Sequence, residues 1–126
     1  METQNRPAFP VRAVVTGGMP YGNKELHFGH VGGVFIHADI FARFLRDRIG
    51  KENVIFVSGT DCYGAAVEAG YEKAAAGGFT GTIRDYVAKN HENQKQTLER
   101  FRISTDLFAA SALGQAGEIH TALSAE

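Results

Sequence analysis

Two short apolar runs constrain this chain more than anything else in it. "VRAVVT" (Val11–Thr16) and "NVIFVSG" (Asn53–Gly59) are rich in β-branched residues, and each reaches a glycine at its end. Both read as strands. Between them Val31, Val34, Phe35, Ala38, Phe41, Ala42, Leu45 and Ile49 recur at helical spacing. Arg46 and Arg48 fall in the last turn of that helix and Gly50 can stop it. Strands that alternate with helices imply an α/β fold with a parallel sheet and right-handed crossovers. The second run is apolar through its centre, as a strand covered on both faces would be.

The rest of the chain continues the pattern. "DCYGAAVEAGYEKAAAGG" gives a short helix that ends at Gly77–Gly78. Thr80 or Thr82 can cap a longer one that runs to about Phe101. "DLFAAS" (Asp106–Ser111) reads as a third strand, and the tail is helix-like. The order is β-loop-α-β-α-α-β. Ligands on parallel sheets bind beyond the carboxyl ends of the strands. The two unusual loops, after Thr16 and after Ser58, both leave such ends and should open on one edge.

Bulk properties exclude several classes. A chain of 126 residues with 44% hydrophobic and 21% charged content fits one ordinary globular domain. With 13 basic and 14 acidic side chains it is not a strongly basic nucleic-acid module. The single cysteine, Cys62, allows neither an internal disulfide nor a Cys-rich zinc site. That suits a reducing, cytoplasmic setting. No apolar run approaches the ~20 residues of a membrane span. Residues 1–10 lack a signal peptide's apolar core and read as a polar arm ending at Pro10.

The chemistry concentrates in "TGGMPYGNKELHFGHVGG", where His27 and His30 stand three apart among six glycines. Three readings compete. A metal would need a third ligand; only Asp61 is an obvious candidate, and no carboxylate pair or CxxC supports it. A plain helix cap leaves the glycines unexplained, since each costs up to ~1 kcal/mol relative to alanine inside a helix. A nucleotide cradle accounts for both. A helix start offers free N–H groups and positive potential to phosphate, imidazoles can donate to phosphate oxygens, and Gly29 would let a flat base approach the backbone. Neither GxxxxGK[ST] nor GxGxxG occurs in this stretch. The isolated Asp61, at a strand's carboxyl end, can pair an ammonium group or simply cap a turn.

"HFGH" resembles the HIGH signature of class I aminoacyl-tRNA synthetases. "TGGMPYGNKELHFGH" looks like the methionyl-tRNA synthetase stretch T-x-A-L-P-Y-x-N-G-x-x-H-x-G-H. "ADIFARFLRDRIG" is similar to the helix that follows it in that family, "VIFVSGTDCYG" to its second strand and G-T-D-E-H-G turn, and "FRISTDLF" to L-G-I-S-x-D-x-F. The resemblance covers about residues 10–112 in matching order. It implies a Rossmann-like, HUP-type nucleotide-binding fold, first half only. Residues 11–112 would be the first half of the catalytic domain and 113–126 the start of an inserted region.

The roles it implies are specific. His27 and His30 would contact the ATP phosphates during adenylation, Gly29 would pack against adenine, and Asn23 would hold the phosphate or ribose side. Met19 and Tyr21 would line the amino-acid pocket and Asp61 would receive the substrate's α-amino group. Mg²⁺ would accompany ATP, with zinc expected only outside this stretch. Methionine, or a related amino acid, and tRNA would be the partners. Two departures fall on the amino-acid side: Cys62 and Tyr63 stand where the family has Glu and His, and Met19 where it has Leu. The family's KMSKS loop, zinc-bearing insert and anticodon-binding helices do not occur among the 126 residues, so a fragment with an exposed strand edge, open to self-association, is expected. Cys62 itself reads as a small semi-buried residue. His37, His91 and the polar middle of the long helix (Asn90, His91, Asn93, Gln94) read as solvated surface.

Overall fold

A computed structural model describes residues 8–125. Strand β1 (Ala13–Thr16) leads through a long loop to a short helix α1 (Phe28–His30). This passes through one widened, π-helical stretch (Val31–Phe35) directly into α2 (Ile36–Ile49). Strand β2 (Val54–Thr60), helices α3 (Ala65–Ala76) and α4 (Ile83–Arg100), strand β3 (Leu107–Ala110) and helix α5 (Gly114–Ser124) complete it. The expected arm lies outside the described residues up to residue 7; beyond it, the Phe9 ring packs on Phe44 at 5.9 Å.

The three strands form a parallel sheet in the order β1-β2-β3, with Val15 beside Phe56 and Ser58 beside Phe108. Gly50, at φ 93°, ends α2 in a conformation that side chains resist. Thr82 caps α4 and exchanges hydrogen bonds with Asp85. Gly59 is required by contact: a Cβ there would lie 2.2 Å from the Ala109 carbonyl oxygen of the neighbouring strand. At the end of α4, Arg102 adopts a left-handed φ of 55°. This is the position at which the family stretch L-G-I-S carries glycine.

The main core joins Val15, Val54 and Phe56 of the sheet to Phe35, Ala42 and Leu45 of the first helical segment and Leu98 of α4. A second cluster gathers Cys62, Val67, Tyr86, Val87 and Ala110. Asp39 of α2 ties this helix to the segment before β3: it accepts from the Ser104 backbone N–H (2.7 Å) and hydroxyl and from Arg43 Nε (2.7 Å). Burial pushes this carboxyl up, but those hydrogen bonds outweigh it and hold it below the ordinary carboxylate value. Asp106 behaves likewise. Its burial is outweighed by the Phe56 N–H (2.7 Å) and by Arg46 (2.7 Å).

One expectation is corrected. β2 is not covered on both faces among the described residues. Val14, Ile55 and Leu107 share the far face of the sheet and are 68%, 51% and 57% exposed. The cause is topological. Both crossovers step across the sheet in the same direction, and crossovers of one hand then fall on one face.

Candidate nucleotide and amino-acid site

The loop from Gly17 to Glu25 has no regular structure of its own, so its backbone polar groups need partners elsewhere. It finds them along five consecutive carbonyls. Pro20 O accepts from the Asp61 N–H (2.8 Å). Tyr21 O and Lys24 O both accept from Gln94 Nε2 (2.9 Å each). Gly22 O accepts from Asn90 Nδ2 (3.0 Å), and Asn23 O from the Tyr86 hydroxyl. In return the Gly22 N–H donates to Asp61 O (2.7 Å). Tyr21 and Asp61 thus pair as a bridge that prolongs the β1–β2 ladder past its end. This brings "MPYGN" and "GTDCYG" together at one edge, as the strand order requires.

With the carbonyls turned inward, side chains are left outward. Met19 and Tyr21 are about half exposed. The Met19 methyl lies over Gly59, and the Tyr21 ring lies beside Gly64. Asp61 is half-buried; its Oδ1 accepts from the Tyr63 N–H (3.2 Å). Asn23 turns the other way. Its amide donates to Ala66 O of α3 (3.2 Å), and its buried Oδ1 has no partner among the described residues. It is therefore not brought to the histidines.

His27 and His30 are brought together, with ring centroids 3.9 Å apart. They make a capping box from imidazoles. His27 Nδ1 accepts from the Gly29 N–H (3.0 Å), and His30 Nδ1 accepts from the His27 N–H (3.3 Å). A backbone N–H can only donate, so each Nδ1 carries a lone pair and each Nε2 the proton. Both rings present Nε2–H outward from the start of a long helix. Burial, with His27 and Lys24 nearby, lowers the His30 pKa and favours that neutral form.

The cap reading thus holds at each Nδ1, and Nε2 is the nitrogen that the cradle reading needs. The glycines divide. Gly29 is needed because a Cβ would lie 2.8 Å from the His27 ring, whereas Gly18, Gly32 and Gly33 face open space. Among the described residues, no three His, Cys, Asp or Glu side chains gather to hold a metal.

The expectation for α4 is overturned. Gln94 is fully buried, Asn90 nearly so, and His91 half-buried. His91 stacks on Phe108, with centroids 5.4 Å apart, and its Nδ1 meets Thr60 Oγ1 at 2.8 Å. The missed signal is spacing. Tyr86, Asn90, Gln94 and Leu98 form one i, i+4 row with large apolar residues at its ends. Amides inside a buried row must find partners.

Cys62 is buried, and its backbone N–H donates to Ser111 Oγ (2.9 Å). Tyr63 stacks on His120 of α5 (4.9 Å, 22°). A concavity of about 650 Å³ lies under α5, between α3 and α4, lined by Val67, Ile83, Val87 and Leu113. It meets the turn after β2 at Cys62, Tyr63 and Gly64 and includes neither His27 nor His30.

The comparisons with known proteins agree with this geometry. Residues 13–124 match the family described as tRNA synthetases class I (M). The chain is 41% identical over 103 residues to the methionine–tRNA ligase of Thermococcus onnurineus, covering 82% of this chain and 13% of that protein. It is 40% identical over 98 residues to that of Chlamydia muridarum, covering 78% and 16%. Among solved structures, the Mycobacterium tuberculosis methionyl-tRNA synthetase bound by methionyl-adenylate superimposes with a TM-score of 0.69 at 31% identity, over 82% of this chain and 19% of that one. The chain thus spans less than a fifth of the length of these relatives. The strand-end loop, the paired imidazoles and this match from β1 into α5 place the chain in the class I tRNA synthetase family, in its methionyl branch.

Proposed function

We propose that the chain is the first half of a methionine-activating catalytic domain, with residues 11–112 as that half and residues 113–126 opening an inserted region. In the full-length protein methionine and ATP would give methionyl-adenylate and pyrophosphate, and the methionyl group would pass to tRNA. The observation that carries this is the pair of outward Nε2–H donors at a helix start, beside two bridged strand-end loops, one with Met19 and Tyr21 and the other with Asp61.

In the adenylation step a methionine carboxylate oxygen attacks the ATP α-phosphorus. The new bond is C–O–P; the bond to the β-phosphate breaks, and pyrophosphate leaves. His27 and His30 would donate to the phosphate oxygens as charge builds on them. Gly29 would lie against adenine. Met19 and Tyr21 would contact the methionine side chain, and Asp61 would accept from its ammonium. Asn23 would act on the ribose or phosphate side only after its amide leaves Ala66. Mg²⁺ would arrive on the ATP phosphates. A cytoplasmic setting suits this reaction; among the described residues no helix is long and apolar enough to cross a membrane. The apolar far face of the sheet would favour self-association of the isolated chain, read by light scattering.

The test is calorimetry of the chain with ATP and with a non-hydrolysable methionyl-adenylate analogue, alongside amino-acid-dependent pyrophosphate exchange by the full-length protein. Methionine-dependent exchange that is lost in His27→Asn and His30→Asn is the expected result. Unchanged exchange in those variants would overturn the assignment. Cys62 and Tyr63, in place of the family's Glu and His, favour one second reading, activation of another amine-bearing acid. Exchange driven by a different amino acid would select it.

A further inference from the structure

The polar row on α4 does more than fill space. Gln94 is the only side chain of the described residues that bonds two carbonyls of the Tyr21–Lys24 loop, and its own Oε1 accepts from Thr60 Oγ1 at 2.8 Å. Thr60 immediately precedes Asp61. Because the single Thr60 hydroxyl proton goes to Gln94, His91 must donate its Nδ1–H to Thr60. One line of hydrogen bonds therefore runs from His91 through Thr60 and Gln94 to Tyr21 O and Lys24 O, and ties both substrate-side loops to one helix. Asn90 and Tyr86 hold the two carbonyls between. The loop's height above the sheet, and with it the outward aim of Tyr21, is set from below rather than by the loop's own sequence.

We infer that Gln94 is a positioning residue for the amino-acid side of the site, a role that rests on the methionine-activating reading. It touches no substrate; it acts through the backbone of Tyr21 to Lys24 and through Thr60 on Asp61. Its effect falls on the amino acid, while the imidazoles, which cap their own helix start, keep their hold on phosphate.

Gln94→Glu tests this with the backbone shape retained. Ionised, the new carboxylate faces two carbonyl oxygens and repels the loop. Protonated, it can donate to one of them and restore it, and burial favours that form. Affinity for the methionyl-adenylate analogue should fall roughly tenfold or more near pH 8, about one buried hydrogen bond to a charged site, and recover as pH falls. Affinity for ATP should stay within about twofold. In the same variant the Gly22 and Asp61 amide resonances should follow the pH, while those of Val15 and Phe56 stay fixed. His91 is the titratable ring that faces this group, so the His91→Asn, Gln94→Glu double variant must repeat the titration.

Loop amides that ignore pH, or core amides that move with them, would overturn the positioning role whether or not the analogue binds. Equal loss of analogue and ATP affinity without pH recovery would also overturn it. If loop amides follow pH but the unsubstituted chain fails to bind the analogue, the functional reading fails and the loop clamp stands.

Discussion

The two stretches that follow β1 are held by opposite means. The loop from Pro20 to Lys24 makes almost nothing of its own. Each of its five carbonyls accepts from β2's end or from α4, more than thirty residues away in sequence. The "HFGH" start, only a few residues later, supports itself: each imidazole accepts from a backbone N–H two or three residues distant. The first stretch can be lost through one remote substitution. The second can be lost only by changing the motif.

The largest break should come from Gln94→Leu. It strands Tyr21 O and Lys24 O without their partner and leaves the Thr60 hydroxyl only His91; buried groups left unpaired cost about 1–3 kcal/mol each with partial relaxation. A loss of about 3 kcal/mol in denaturant-derived stability is expected. A loss under about 1 kcal/mol would mean that water replaces the amide at little cost.

Removing the local support should matter less. His27→Ala deletes one exposed cap, worth about 1 kcal/mol by the same measurement, and the Gly22 and Asp61 amides should keep their protection. Arg102 provides a third case, where local backbone works against the fold. Its left-handed φ of 55° is uncomfortable for any residue with a Cβ, so Arg102→Gly should raise stability by about 0.5–1 kcal/mol, offset in part by glycine's greater freedom when unfolded. A fall instead would mean that the Arg102 side chain makes contacts worth more than the strain.

The smallest effect concerns pH. The folded pKa of His30 lies below its ordinary 6.5, so the unfolded chain binds the proton more readily. Stability should rise with pH from the folded value up to about 6.5 and gain nothing further from this group above it. In His30→Asn this slope in the melting temperature should become shallower, with His91 supplying what remains. An unchanged slope would assign it elsewhere, with the half-buried His91, whose pKa burial also lowers, as the first group to test.

This contrast also explains what could be read from the chain. Strand order, helix order, Gly50 as a stop and Thr82 as a cap are local signals, and the structure carries all of them. So is the pairing of His27 with His30. The open far face of β2 was hidden, because "NVIFV" reads as doubly covered unless the direction of both crossovers is also considered. Gln94 was hidden because an amide in a polar stretch looks solvated; only its place in the row Tyr86–Asn90–Gln94–Leu98 marks it as buried. The inward turn of Asn23 toward Ala66 left no trace in sequence at all, since it depends on where α3 lands.

The imidazole cap has a consequence for reagents. With each Nδ1 occupied by a backbone N–H, His27 and His30 offer a single reactive nitrogen apiece. An alkylating or acylating probe should give one regioisomer at each ring, the Nε2 adduct, so long as the helix start is wound. The ratio of the two regioisomers, read by mass-spectrometric fragmentation or by synthetic standards, would then report how often that first turn opens.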